Sequence, residues 1–148
     1  MARSIIAVIV GYIVMFILQV AVFMTIYTMM GPNWSFKPAS YQASTRWTVT
    51  QFVVVLVTAA VAGLICAVIA RGGKAPLALA AVVLVLGLAL AAAHTAMQPG
   101  DTHDVRTGNV PNMEAMTKAR NATWVVFLAP LTGAVGVVIG GKLKRSSS

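Results

Sequence analysis

The stretch "LICAVIARGGKAPLALAAVVLVLG", residues 64–87, decides the fold. Two apolar runs meet at the short link Arg71-Gly72-Gly73-Lys74. Followed outward, the first run reaches back to residue 49 and the second forward to residue 97, and neither contains Asp, Glu, Lys or Arg. A helix needs about 20 apolar residues to cross roughly 30 Å of hydrocarbon. Both runs meet that length, and the brief link between them predicts an antiparallel helical hairpin. Gly72 and Gly73 suit the positive φ of a tight helix end. Pro76 falls in the first turn of the next helix, where its missing N–H costs nothing.

The same pattern appears twice more. Residues 4–30 and 122–141 are also apolar and free of charged side chains. Of the 148 residues, 59% are hydrophobic and 9% charged, too apolar a balance for a soluble domain of this length. In lipid no water satisfies peptide groups, so each span should be an α-helix. The runs far exceed the roughly ten alternating residues of a membrane strand. Residues 4–30 exceed a secretory h-region and no small-residue cleavage site follows, so this span is read as retained and tilted. The expectation is an all-α, four-helix integral membrane bundle, up-down-up-down, forming one domain over 1–148. Its partner is the lipid bilayer. The net charge of +8 is scattered around apolar runs and forms no single patch, which argues against nucleic acid.

Orientation follows from where the cations crowd. Arg3, Arg71, Lys74, Lys142, Lys144 and Arg145 lie in very short segments on one side. Lys37, Arg46, Arg106, Lys118 and Arg120 are spread through loops 31–48 and 98–121 on the other. The positive-inside rule places both termini and the basic tail 142–148 in the cytoplasm. The Ala/Val/Gly-rich composition points to a bacterial inner membrane. Trp34, Trp47 and Trp124 then form an aromatic belt on the outer side. Asn33 and Asn121 sit in N-x-[ST] sequons, read as chance.

Small residues mark where helices approach closely. They recur as Ala59-xxx-Gly63-xxx-Ala67, Gly87-xxx-Ala91-xxx-Thr95 and Thr132-xxx-Gly136-xxx-Gly140. Gly63, Gly87, Gly136 and Gly140 are therefore the expected helix-interface positions. They serve either packing inside the bundle or, through the GxxxG of the fourth helix, a second copy or a larger membrane complex. Pro130 should kink the fourth helix, with Thr132 near enough to satisfy a freed carbonyl.

No ionisable side chain lies deep in any span, and such groups are the usual markers of ion and proton pathways. Gln19, Thr58, Gly87 and Thr132 fall at similar depth, with Tyr12 seven residues before Gln19 on one face. Gln19, Thr58, Thr132 and Tyr12 are the substrate-lining candidates. The simpler expectation for Gln19 is a hydrogen bond across helices. Cys66 reads as a small hydrophobe in a helix.

All three carboxylates and both histidines lie between residues 94 and 114. His94, Asp101, His103 and Asp104 could supply metal ligands if the turn folds back, but their spacing matches no zinc signature. Exclusion of carboxylates from lipid explains the crowding more simply, and no cofactor is expected. Ser44 is placed to cap the second span, and Asn112 a short helix carrying Glu114 in its first turn.

The phrases "GYIVMF" (11–16), "FKPASYQAS" (36–44) and "CAVIARGGKAPLALA" (66–80) resemble those of small four-span bacterial membrane proteins without an assigned activity. Size and span count are also similar to small multidrug transporters. Those carry an essential glutamate in the first span, where this chain has Gln19. Three readings follow: a non-catalytic accessory, assembly or scaffold subunit; a small oligomeric transporter or channel lined by the polar layer; and a membrane enzyme or metal-binding protein using loop 98–121. A cavity reaching Gln19 favours the second, a sealed bundle the first.

Overall fold

The computed structural model describes residues 2–71, 74–97, 111, 114 and 118–146. Four long helices dominate: α1 (Ala2–Met30), α3 (Thr45–Ala70), α4 (Ala75–Met97) and α5 (Thr123–Ser146), with a single turn, α2 (Pro32–Ser35), between the first two. All four are long and apolar enough to cross a membrane. Among the described residues there is no strand, only isolated bridges between Phe36 and Ala43 and between Gln42 and Arg120.

The helix ends follow from local chemistry. α1 stops at Gly31, which takes a φ of +73° and returns its N–H to the Tyr27 carbonyl at 2.9 Å. Ser44 caps α3 as expected, its Oγ accepting from the Trp47 N–H at 3.1 Å. That cap lies outside the apolar run, so α3 starts four residues before the span read from hydropathy. The left-handed residue that closes α3 is not a glycine. Arg71 holds φ 52° and ψ 41°, with its N–H directed to the carbonyls of Ala67 and Val68. The helix keeps its hydrogen bonds up to Ala70, so the reversal comes one residue earlier than the glycines. Gly72 and Gly73 lie outside the described residues.

Helix α5 continues beyond residue 141 through Lys142 and Lys144. It also runs unbroken through Pro130. Proline at 130 cannot donate to the carbonyl one turn back, that of Val126. Thr132 does not replace that bond: its Oγ1 donates to Leu128 O at 3.1 Å.

Packing centres on α3. Its interface with α5 is the most extensive, followed by those of α4 with α5 and α1 with α3; α1 meets α4 only lightly, and so does α3. Glycine permits the close approach. A methyl group on Gly63 would overlap the Val137 carbonyl, and one on Gly140 the Ala60 carbonyl. On Gly136 it would lie 2.7 Å from Leu56 O. Against α4, Gly87 faces Pro130 and Gly141 faces Pro76. The core is correspondingly fine-grained: Ala7, Ala59, Ala62, Cys66, Leu79 and Val137 are wholly buried. Arg3 Nε donates to the Ile69 carbonyl at 3.0 Å, fastening the start of α1 to the end of α3.

The outer surface is apolar. Ile5, Ile6, Ile9, Ile13 and Ile17 on α1 are each half exposed or more. At the other end, residues 32–44 fold over the bundle. Ala43 N donates to Arg120 O and Arg120 N to Tyr41 O, both at 2.9 Å. Beneath them Tyr27, buried to 2%, meets Phe36 and Trp47 edge-on at 6.3 and 6.1 Å.

Candidate functional site

A cleft of about 460 Å³ opens in the half of the bundle nearer this aromatic cap. Its walls are helical stripes. α1 contributes Tyr12, Met15, Phe16, Gln19 and Phe23, and α4 contributes Val83, Gly87, Leu90, Ala91 and His94. Both sets recur at three- and four-residue intervals, so each is one face of its helix. Gln51 and Val55 of α3 and Val126, Ala129 and Pro130 of α5 complete the lining, with Asn121 just ahead of α5.

The cleft exists because α1 leans on α3 while α4 leans on α5, leaving α1 and α4 apart. Lower down they converge. A methyl on Gly11 would lie 2.8 Å from Leu79 Cδ2 and 3.3 Å from Cys66 Cβ. Met15, Val55 and Val83 gather over Gly133 and form the floor: they are the nearest atoms to a methyl placed there, at 3.4, 3.6 and 3.2 Å.

The lining is apolar for most of its area. It holds three carboxamides (Gln19, Gln51 and Asn121), one phenol and one imidazole, and no Asp, Glu, Lys or Arg. Such a site can accept and donate hydrogen bonds but offers no fixed charge. The interhelical bond expected of Gln19 is not formed among the described residues. Its amide lines the cleft between α1 and α4.

The candidates from sequence separate into groups. Tyr12, Gln19 and His94 share the cleft. Thr58 and Thr132 do not line it. The Thr58 hydroxyl is spent within its own helix, on Val54 O at 2.7 Å. Gly87 belongs both to the lining and to the contact with Pro130. Gly63, Gly136 and Gly140 lie between α3 and α5. Of the metal candidates, Asp101, His103 and Asp104 lie outside the described residues, as does Asn112. Among the described residues no three of His, Cys, Asp and Glu gather. Glu114 pairs with Lys118 at 3.1 Å, one helical turn apart, and the Lys118 ammonium lies 5.5 Å from the centre of the Tyr41 ring.

Sequence reasoning missed Gln51 and Asn121. A signal for Gln51 was available: it lies seven residues before Thr58, an amide on the same face of an otherwise apolar helix.

The fold therefore defines a class, an all-helical chain with four helices fit to cross a membrane around a cleft lined by no Asp, Glu, Lys or Arg. Comparison with protein-family models, curated proteins and solved structures finds no match.

Proposed function

We propose that this chain is a non-catalytic integral membrane protein that binds a small uncharged amphiphile in the cleft between α1, α3, α4 and α5. The observation that carries this is the cleft itself: floored at mid-bundle, apolar below, and ringed by neutral amides above. A volume of about 460 Å³ falls within the usual range for small-molecule sites. Of the groups lining the cleft, His94 and the Tyr12 phenol are the ones able to act as acid, base or nucleophile; the rest of the wall is carboxamide and hydrocarbon.

The helices are read as spanning alternately, up-down-up-down. Support comes from the pairing of Pro76 with Gly141 and of Gly87 with Pro130, which sets α4 against the direction of α5. Short cationic segments at Arg3, Arg71–Lys74 and Lys142–Arg145 favour the cytoplasm for both termini. The cleft then opens toward the outer side. A transport step would require its floor to part. An assembly role through the glycines of α5 is the weaker reading, because α3 and α4 already occupy those faces.

Binding is tested by fluorescence. Trp47 stands next to the cleft, in contact with Phe23 at a ring distance of 5.8 Å. In nanodiscs, titration with 10-bromodecanol should quench it saturably, and unbrominated decanol should compete. Gln19→Phe, which adds bulk to the cleft wall without adding a tryptophan, should weaken the competable component about ten-fold or more. Quenching that only tracks the bromide concentration in the bilayer, with no competable component, defeats the reading. For topology, a periplasmic-only reporter enzyme fused at the C-terminus should be inactive.

A further inference from the structure

The cleft does not end at its own polar rim. A second cavity of about 240 Å³ adjoins it under the aromatic cap, lined by Tyr27, Phe36, Trp47 and Ala119. The two share Phe23, Gln51 and Asn121. Gln51 therefore stands at a junction, with an apolar, floored chamber on one side and an aromatic chamber on the other.

Gln51 is also chemically incomplete. Its Oε1 is closed off from solvent and accepts no hydrogen bond among the described residues. A buried amide oxygen without a hydrogen bond carries an uncompensated desolvation cost, and such groups are few in folded proteins. The terminal torsion of glutamine is broad and roughly two-fold, so a modest turn presents the amide to the cleft. Gln19 and Asn121, which also line the cavities, are carboxamides, and no Asp, Glu, Lys or Arg lines either cavity. A charged headgroup would lose its hydration with nothing to replace it.

Resting on the binding role given above, we propose that the ligand is an uncharged amphiphile ending in a hydroxyl, and that Gln51 receives that hydroxyl at the junction. The hydroxyl donates to the Gln51 carbonyl oxygen and can accept from a neighbouring carboxamide such as Asn121. The hydrocarbon runs down toward Met15, Val55 and Val83. A site built to pair a hydroxyl discriminates against analogues that lack one, since the amide is then left unpaired.

The experiment compares decanol, its methyl ether, decanoate and decylammonium in nanodiscs, each read by how well it relieves the quenching of Trp47 by 2-bromodecanol, whose bromine sits beside the hydroxyl. The alcohol should bind about five- to ten-fold more tightly than the ether, as expected for one hydrogen bond, and more tightly than either ion. In Gln51→Met, close to isosteric, the alcohol should fall to the affinity of the ether while the ether is unchanged. Equal affinity of alcohol and ether for the wild-type chain overturns the hydroxyl assignment and leaves the cleft as a binding site. Tighter binding of either ion overturns it too. A Gln51→Met protein that keeps the full alcohol preference removes Gln51 as the receiving group. Absence of competable binding for all four probes defeats the underlying binding role instead. The comparison of alcohol with ether uses unaltered protein, so it stands even if Gln51→Met fails to fold.

Discussion

Gly87 and Pro130 face each other so closely that a methyl group on Gly87 would lie 2.6 Å from the Pro130 Cβ. The proline ring of α5 occupies the space that a side chain on α4 would need. A residue that weakens the helical ladder of α5 thus serves as the knob by which α5 meets α4. Gly87→Ala should cost about 1–3 kcal/mol, the usual range for overpacking. Adding Pro130→Gly should recover part of it, because it removes both the Cβ at 2.6 Å and the Cγ at 2.8 Å that obstruct the methyl. Reversible unfolding in mixed micelles, followed by helical circular dichroism, reads both variants. Additive losses in the double variant would break the proposed complementarity.

The glycines between α3 and α5 are less forgiving. At Gly63 and Gly140 the neighbouring atom is a backbone carbonyl, of Val137 and Ala60 respectively, and a carbonyl cannot rotate aside as a side chain can. Gly63→Ala and Gly140→Ala should each destabilise by about 3 kcal/mol or more, beyond Gly87→Ala. Their oligomeric state by light scattering should match wild type. A change in oligomeric state without loss of stability would mean that these glycines serve contact between copies.

At the end of α3, Arg71 holds a left-handed conformation at φ 52°, which costs an L-residue roughly 1–2 kcal/mol. Arg71→Gly should stabilise the protein by up to about 1 kcal/mol, part of the relief being offset by the freer unfolded chain. Arg71→Ala is the control, since it removes the charge and keeps the strain. If both variants gain equally, charge and not backbone geometry explains the effect.

These contrasts show what was readable from the sequence and why. The four spans were legible because charge exclusion writes itself directly into composition. The third fits its helix at both ends, Ala75 and Met97. The stop of α3 at Ala70 matches the end of its apolar run, although Arg71 and not a glycine makes the reversal; its start was less legible, because it depends on Ser44 capping beyond the run. The cleft was half legible. Tyr12 and Gln19 share a face of α1 that periodicity reveals. Equal depth in the membrane was a poor guide to the rest, since Thr58 satisfies its hydroxyl within its own helix. Gln51 left a signal in its seven-residue spacing from Thr58, but Asn121, just ahead of α5, joins the site through tertiary packing with no local signature.

Ser44 joins two segments as well as capping one. Its Oγ accepts from Trp47 N at 3.1 Å and donates to Trp34 O at 2.8 Å. Ser44→Ala should cost about 1 kcal/mol for the cap alone, and more with the second bond lost. Ser44→Asp keeps an acceptor but no donor at neutral pH, so it should restore the cap part and not the rest. The near-ultraviolet circular dichroism of the Trp34–Trp47 pair, now edge-on at 6.3 Å, should change in both variants. An aspartate variant that matches wild type in stability and spectrum would show that the bond to Trp34 contributes nothing.

Gln19 separates binding from folding. A glutamine in an apolar helix invites the reading that it glues helices together, a role worth about 1 kcal/mol in membranes. Here its amide lines the cleft and forms no hydrogen bond among the described residues. Gln19→Leu has no bond to break and adds apolar surface to an apolar wall, so stability should stay within about 0.5 kcal/mol of wild type. Ligand affinity should change, because one of the three carboxamides around the cleft is gone. Unfolding measured with and without saturating decanol tests both parts. In the free protein the curves should superimpose, and the added stability conferred by the ligand should shrink in the variant. A loss of 1 kcal/mol or more in the free protein would return Gln19 to the role of interhelical glue.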